Sequence, residues 1–142
     1  MRIVPLSEGS FTIDKTKEFV PFESGTDNLQ ERPRGSLLVE IQPFVVETSK
    51  DVILLDTGLG FRDGRDCMQI HINMQEAGID PLSVTKVLLS HLHKDHAGGI
   101  AMYHRQLGQY FPAFPNARYY VNAEELNFSL KDRKSTRLNS SH

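Results

Sequence analysis

Short apolar runs separated by polar, turn-forming residues dominate the chain, and this pattern predicts β-strands more often than helices. The run Val87-Leu88-Leu89 is typical of a buried strand. Pro43 interrupts a longer β-type segment at residues 36–48, which indicates an edge position or a bulge. We predict strands over residues 2–6, 10–14, 36–48, 52–55, 86–90 and 118–121.

Helical patterns are confined to a few stretches between these strands. Residues 67–77 predict a helix that ends at Gly78, a residue suited to a left-handed C-terminal cap. Residues 100–110 have a moderately helical pattern, and Asn122 with Glu125 resembles a capping box that opens a further helix. Strands and helices in this order predict an α/β (α+β) fold in one domain with a modest core.

The segment with the strongest chemical signal is His91-Leu92-His93-Lys94-Asp95-His96, directly after the buried run. In an extended chain, side chains at i and i+2 point the same way, so His91 and His93 can share one ion. Asp95 and His96 come after a turn and suit a second ion beside the first. Imidazole and carboxylate together favour zinc, with iron or manganese as alternatives. The competing interpretation is a solvated polar loop rich in histidine.

This segment, continued by Ala97-Gly98-Gly99, resembles the HxHxDH signature of the metallo-β-lactamase-fold superfamily. Upstream, Leu54-Leu55-Asp56-Thr57-Gly58 resembles the Asp-Thr-Gly element of the same family. The resemblance extends over residues 1–131. It implies an αβ/βα sandwich, of which this chain would supply the first half.

The resemblance also implies a role for each residue of the signature. His91 and His93 would bind metal site one, and Asp95 and His96 would bind metal site two. Asp56 would lie outside the coordination sphere and steady the loop that carries the ligands.

The implied chemistry is hydrolysis by two ions about 3.5–4 Å apart, which polarise a carbonyl or phosphoryl oxygen and share a hydroxide that attacks it. Asp95 is the candidate catalytic residue, because its carboxylate could accept a hydrogen bond from that hydroxide. Gly98 and Gly99 are expected to let the backbone turn tightly beneath the ions.

The signature and its flanks look most like the lactonase-type branch, which includes acyl-homoserine-lactone hydrolases, so lactones and other ester-like bonds are the expected substrates. Relatives with closely similar signatures cleave thioesters and phosphotriesters, and a mononuclear-iron sulfur dioxygenase of the same fold also stays open. A di-iron relative normally has Glu at the position of His93, which disfavours that class.

The composition of the chain limits the classes of binding partner that we expect. The 142 residues carry a net charge of −2, so there is no basic footprint for nucleic acid. The first residues lack an apolar run long enough for a signal peptide or membrane helix. The one cysteine, Cys67, cannot form an internal disulfide, which fits a reducing compartment. We therefore expect a cytoplasmic protein with a small-molecule substrate and no nucleic-acid or membrane partner; the oligomeric state is not specified.

Residues 132–142 resemble the in-frame translation of a common sequencing-library adapter. The adapter begins with an adenine before the codon of Asp132, and an AAA codon for Lys131 would supply that adenine. We expect a native part at residues 1–131 followed by a non-native tail. In the family, a second half supplies a third His for site one, a bridging Asp and a last His for site two. Neither His104 nor His142 occupies such a position. The chain is thus expected to be an inactive fragment of an enzyme, or a non-enzymatic protein if the tail is genuine.

Overall fold

A computed structural model describes residues 1–140, with side chains described through Lys131. The last two residues of the predicted tail therefore lie outside the described residues. Among residues 1–140 the secondary structure comprises β1 (Arg2–Pro5), β2 (Gly9–Ile13), β3 (Val20–Phe22), β4 (Leu37–Ile41), β5 (Phe44–Glu47), β6 (Val52–Leu55), α1 (Gln69–Glu76), β7 (Lys86–Leu88), α2 (Lys94–Ala97), β8 (Ala101–His104), β9 (Gln109–Pro112), β10 (Arg118–Tyr120) and α3 (Ala123–Ser140).

The largest sheet has five strands in the order β1-β5-β6-β7-β10. β1, β5 and β6 pair antiparallel, whereas β6, β7 and β10 pair parallel. One row of paired residues crosses this sheet on a single face: Val4, Val45, Leu54, Val87 and Tyr119. This row is the floor of the main core.

Helix α1 covers that floor. Its Ile70 and Met74 are fully buried and belong to one apolar cluster with Val45, Leu54 and Val87 of the sheet. The helix ends as predicted, because Gly78 adopts φ +78° just after the C-cap residue. Burial of side chains on one face of a helix against one face of a sheet supplies most of the stability of such a unit.

The opposite face of the five-stranded sheet is apolar but open to solvent. Phe44 and Leu88 share a row on that face, and they are 36% and 38% exposed. Tyr120 continues the row at 43% exposure. An apolar sheet face of this kind is normally covered by another layer.

A second, three-stranded sheet has the order β3-β2-β4. Its core is small: Phe11, Ile41 and Leu59 are buried together, with Phe19 and Val39 packed against them. Leu59 comes from the loop after β6, so this cluster fixes that loop against the second sheet.

The predicted α/β (α+β) class is confirmed, and so are the strands expected near residues 2–6, 10–14, 52–55, 86–90 and 118–121. The segment at residues 36–48 is two strands in different sheets, β4 and β5, with Gln42 and Pro43 between them. Pro43 therefore marks a corner between sheets, where its carbonyl accepts a hydrogen bond from the Leu6 N–H at 2.8 Å.

The helical prediction for residues 100–110 is wrong. These residues enter a hairpin of β8 and β9, in which the rings of Tyr103 and Tyr110 pair across the strands 5.0 Å apart. Gly108, at φ +64°, occupies the connecting turn. Cross-strand aromatic pairing outweighs the weak helical pattern here. No helix among the described residues combines the length and the hydropathy needed to cross a bilayer.

Candidate metal centre

The five predicted site residues gather at one edge of the large sheet. β6 and β7 are parallel neighbours, so their carboxyl ends meet at that edge. Asp56 follows β6 directly, and Leu89 and Ser90 connect the end of β7 to His91. The carboxyl ends of parallel strands are the usual location of functional loops in open α/β sheets.

Asp56 lies at the centre of the hydrogen bonds at this edge. Its backbone is in the left-handed region (φ 61°), and its N–H donates to the carbonyl of Leu88 at 2.9 Å. Its carboxylate accepts from the Ser90 N–H at 2.8 Å and from the Ser90 hydroxyl at 2.9–3.0 Å. Oδ2 also lies 2.9 Å from Nδ1 of His96. One carboxylate therefore joins the ends of β6 and β7 to the helix α2.

These contacts determine which ring nitrogens are protonated. A carboxylate can only accept, so Nδ1 of His96 donates to Asp56. The Ser90 hydroxyl donates to the same carboxylate, which leaves its oxygen to accept from Nδ1 of His91 at 2.9 Å. For neutral rings this geometry places the proton on Nδ1 of both histidines and leaves Nε2 as the nitrogen that could bind a metal ion.

The three histidine rings form a compact group. The ring centroids of His91 and His93 are 4.7 Å apart, and those of His91 and His96 are 4.1 Å apart. His93 caps the start of α2, the one-turn helix that carries Asp95 and His96. His91 is therefore the middle ring, with an imidazole on either side.

Nε2 of His96 lies 3.2 Å from Oδ2 of Asp95. With the ring proton on Nδ1, a lone pair faces a carboxylate, and a cation between the two atoms would relieve their repulsion. Two donor atoms on one tetrahedral zinc ion, each about 2.0–2.1 Å from it, lie roughly 3.4 Å apart. The chemistry and spacing of this pair therefore fit a divalent metal ion.

Within the part of the chain that the structure describes, no three His, Cys, Asp or Glu side chains form a group that could hold a metal ion as they stand. The candidate centre is a set of neighbouring donors, and its pairwise contacts are those given above. The assignment of His91 and His93 to one ion and of Asp95 and His96 to another stays a prediction.

The loop after β6 packs backbone to backbone against the residues after α2. Thr57 is fully buried, and its N–H and hydroxyl both donate to the His96 carbonyl, at 2.7 and 3.0 Å. A side chain at Gly98 would collide with the carbonyl of Leu59, and one at Gly99 with that of Thr57. Gly98 and Gly99 lie in a turn directly after α2, as expected. At Gly98, however, the need for glycine does not come from its backbone angles. Its φ is −62°, and the close approach of a second backbone excludes a side chain there.

Three residues that contact this edge were not identified from the sequence. Ser90 carries the hydrogen bonds between Asp56 and His91, and its position directly before the first histidine was the available signal. Glu125 does not return to Asn122 as a capping box requires, but accepts from the Leu92 N–H at 3.0 Å. Glu8 reaches from the loop after β1 to the Leu59 N–H at 2.8 Å. Nothing in the local pattern around either glutamate predicts these long-range contacts.

Burial dominates the electrostatics of Glu8. Desolvation raises the pKa of its carboxyl from 4.5 to about 7, and the hydrogen bond from Leu59 opposes this. Its Oε2 is buried and has no hydrogen-bond partner among the described residues, so the charged form loses its hydration without full compensation.

Two cavities flank the candidate centre. One of about 560 Å³ contains His93 and has apolar side chains from Leu92, Ile100 and the start of α3. Another of about 300 Å³ lies between β4 and the group Asp56, Asp95 and His96. The larger one has the volume of typical small-molecule sites.

The model of the metallo-beta-lactamase superfamily matches residues 40–136, which is more than half of the chain. The chain belongs to the metallo-β-lactamase superfamily. The matched span contains Asp56 and the whole His91–His96 segment, so the resemblance expected from these residues is confirmed.

Solved structures of this superfamily agree with the fold. AidC, a dizinc quorum-quenching lactonase, matches with a TM-score of 0.62 at 26% identity over 89% of this chain and 43% of its own. The hydrolase AbOPH matches with a TM-score of 0.65 at 26% identity over 96% of this chain and 50% of its own. A quorum-quenching N-acyl homoserine lactone hydrolase, at 22% identity and a TM-score of 0.56, covers 90% and 48% and shows the fold alone. The chain spans about half the length of these proteins.

Proposed function

We propose that the protein is a metal-dependent hydrolase of ester-like bonds, with lactones as the substrate class and two zinc ions as the cofactor; iron or manganese are the alternative metals. The observation that carries this proposal is the hydrogen-bond network of Asp56, Ser90, His91 and His96. For neutral rings it makes Nε2 the metal-binding nitrogen of two neighbouring imidazoles, with the Asp95 carboxylate 3.2 Å from one of them.

Each side chain has a separate task in this proposal. His91 and His93 would hold one ion, and Asp95 and His96 the other, while Asp56 keeps the His96 ring in its metal-binding tautomer. When bound, such ions polarise the scissile carbonyl and lower the pKa of water towards neutrality. Asp95 would also accept a hydrogen bond from the attacking water and thereby orient it.

The proposed substrate class rests on the larger cavity and on the relatives. The cavity beside His93 is lined by Leu92, Ile100, Leu126, Phe128 and Leu130, which suits the apolar part of an acylated small molecule. AidC, at 26% identity, is described as a lactonase. We place the activity in the cytoplasm, since the single Cys67 leaves no internal disulfide.

The activity is proposed for a protein with both halves of the fold, of which residues 1–131 would be the first. The remaining metal ligands would come from the second half, and residues 132–142 would be the adapter-derived tail. Sequencing of the source DNA across codon 131 tests this division. It is expected to show a reading frame that departs from residues 132–142, and an unchanged frame would contradict it.

The experiment for the function uses the zinc-loaded protein that this sequencing defines, with an acyl-homoserine lactone, a thioester and a phosphotriester as substrates. We expect lactone hydrolysis that His93→Ala abolishes. His104→Ala is the matched control, since His104 lies on the exposed hairpin strand β8. Undiminished lactone turnover in His93→Ala would refute the assignment, and turnover of only another substrate would refute the lactone class.

A further inference from the structure

We propose that Glu125 is a positioning residue for the metal-binding loop, and that it acts through the backbone of Leu92. This inference rests on the proposed function, because it concerns how the loop presents His91 and His93 to an ion. The carboxylate of Glu125 accepts a hydrogen bond from the Leu92 N–H. The two residues are 33 positions apart in the chain, so this contact exists only in the folded protein.

The contact is a backbone N–H hydrogen bond of ordinary length to a carboxylate oxygen. Oε1 of Glu125 accepts from the Leu92 N–H at 3.0 Å, and both residues are half-buried. Leu92 is the residue between the two histidines of site one. A bond to an ionised acceptor is stronger than one between neutral groups, and partial burial reduces its competition with water.

Glu125 and Asp56 each accept a hydrogen bond from the backbone of the metal-binding loop, at two residues that flank His91. The N–H of Ser90 is held by the Asp56 carboxylate at 2.8 Å, and the N–H of Leu92 is held by Glu125. Fixing the N–H groups at positions i and i+2 holds the intervening backbone extended, so that His91 and His93 project together. Their ring centroids are 4.7 Å apart, in agreement with this arrangement.

The position of Glu125 is itself well determined. Strand β10 pairs parallel to β7, and the Tyr120 carbonyl accepts from the Leu89 N–H at 2.9 Å. Asn122 then begins α3, with its side chain accepting from the N–H groups of Glu124 and Glu125 at 2.8 and 3.4 Å. The start of the helix is thus fixed beside the loop, and Glu125 in its first turn faces Leu92.

The test compares zinc and cobalt(II) binding by the protein with both halves of the fold, as defined by the sequencing across codon 131, and by its Glu125→Ala and Glu125→Gln variants. Glu124→Ala is the matched control, because Glu124 is the exposed neighbour in the same helical turn. Zinc affinity is measured by competition with a chelator, and the ligand geometry by the visible absorption of bound cobalt(II). Thermal unfolding of each variant shows that it is folded.

We expect Glu125→Ala to weaken zinc binding about tenfold and to alter the cobalt spectrum, as the loss of a group that orients metal ligands does. Glu125→Gln keeps an acceptor oxygen and should restore most of the affinity, while Glu124→Ala should leave it unchanged. Unaltered affinity and spectrum in Glu125→Ala, or an equal loss in Glu125→Gln or Glu124→Ala, would overturn the role of Glu125. Failure of the unsubstituted two-half protein to bind either ion would instead overturn the proposed function, and this inference with it.

Discussion

Oδ2 of Asp56 lies 2.9 Å from Nδ1 of His96, a residue 40 positions later in the chain. The same carboxylate accepts from the Ser90 hydroxyl, whose oxygen contacts Nδ1 of His91. One acidic side chain at the end of β6 therefore sets the tautomer of two candidate metal ligands. In this chain the arrangement connects Asp56, at the start of the Asp-Thr-Gly element, to the histidine-rich segment.

Substitution of Asp56 by Asn tests this relationship. Asn tolerates the left-handed backbone at φ 61°, so the loop conformation is retained while the charge is lost. We expect zinc affinity to fall about 10- to 100-fold, because the His96 tautomer is no longer enforced. Asp66→Asn is the matched control, since Asp66 has a similar φ of 64° outside the candidate centre. Equal zinc affinity in the two variants, measured by chelator competition, would show that Asp56 does not orient a ligand.

Substitution of Gly98 by Ala tests the backbone packing beneath the centre. The new methyl group would collide with the carbonyl of Leu59, and neither backbone can move without disturbing the loop after β6. We expect the free energy of unfolding, measured in urea, to fall by about 1–3 kcal/mol. Gly64→Ala is the control, since nothing lies within 4 Å of its added atom. A Gly98→Ala protein as stable as Gly64→Ala would contradict the close approach.

The buried carboxyl of Glu8 predicts a pH dependence of stability. Burial raises its pKa in the folded protein from 4.5 to about 7. The folded state therefore binds the proton more tightly than the unfolded state. The stabilisation that follows from this difference is complete below pH 4.5 and is lost as the pH rises through about 7. We expect this group to lower the free energy of unfolding by on the order of 2 kcal/mol between about pH 4 and about pH 8.

Glu8→Gln should remove that pH-dependent loss, whatever its constant effect on stability. The measurement is the free energy of unfolding of both proteins across this pH range. Glu18→Gln, at an exposed position, is the control and should retain the loss. If Glu8→Gln and the unsubstituted protein show the same slope, the carboxyl of Glu8 is not the group responsible.

The proximity of the candidate ligands could be predicted from the sequence because these residues are close in the chain. His91, His93, Asp95 and His96 are close in the chain, and the spacing alone indicates two groups of ligands. The strands around them follow from apolar runs such as Val87-Leu88-Leu89. These features depend on neighbours in sequence, so local pattern is sufficient.

The errors concern contacts between distant segments. The local pattern of residues 100–110 favours a helix, but the segment forms strands because Tyr103 and Tyr110 pair across the β8–β9 hairpin. Glu125 resembles a helix cap until the strand order places α3 beside Leu92. Glu8 has an unremarkable local sequence, and its burial arises only when the loop after β6 closes over it. Such residues are identified by the topology of the sheets.

The most direct test of the metal centre is the zinc affinity of the protein with both halves of the fold, compared with those of its His93→Ala and His104→Ala variants. We predict that the unsubstituted protein and His104→Ala bind zinc with equal affinity, whereas His93→Ala binds at least about tenfold more weakly because one metal ligand is missing. Absence of zinc binding by the unsubstituted two-half protein, or equal affinity in His93→Ala, would contradict the assignment of residues 91–96 as a metal centre.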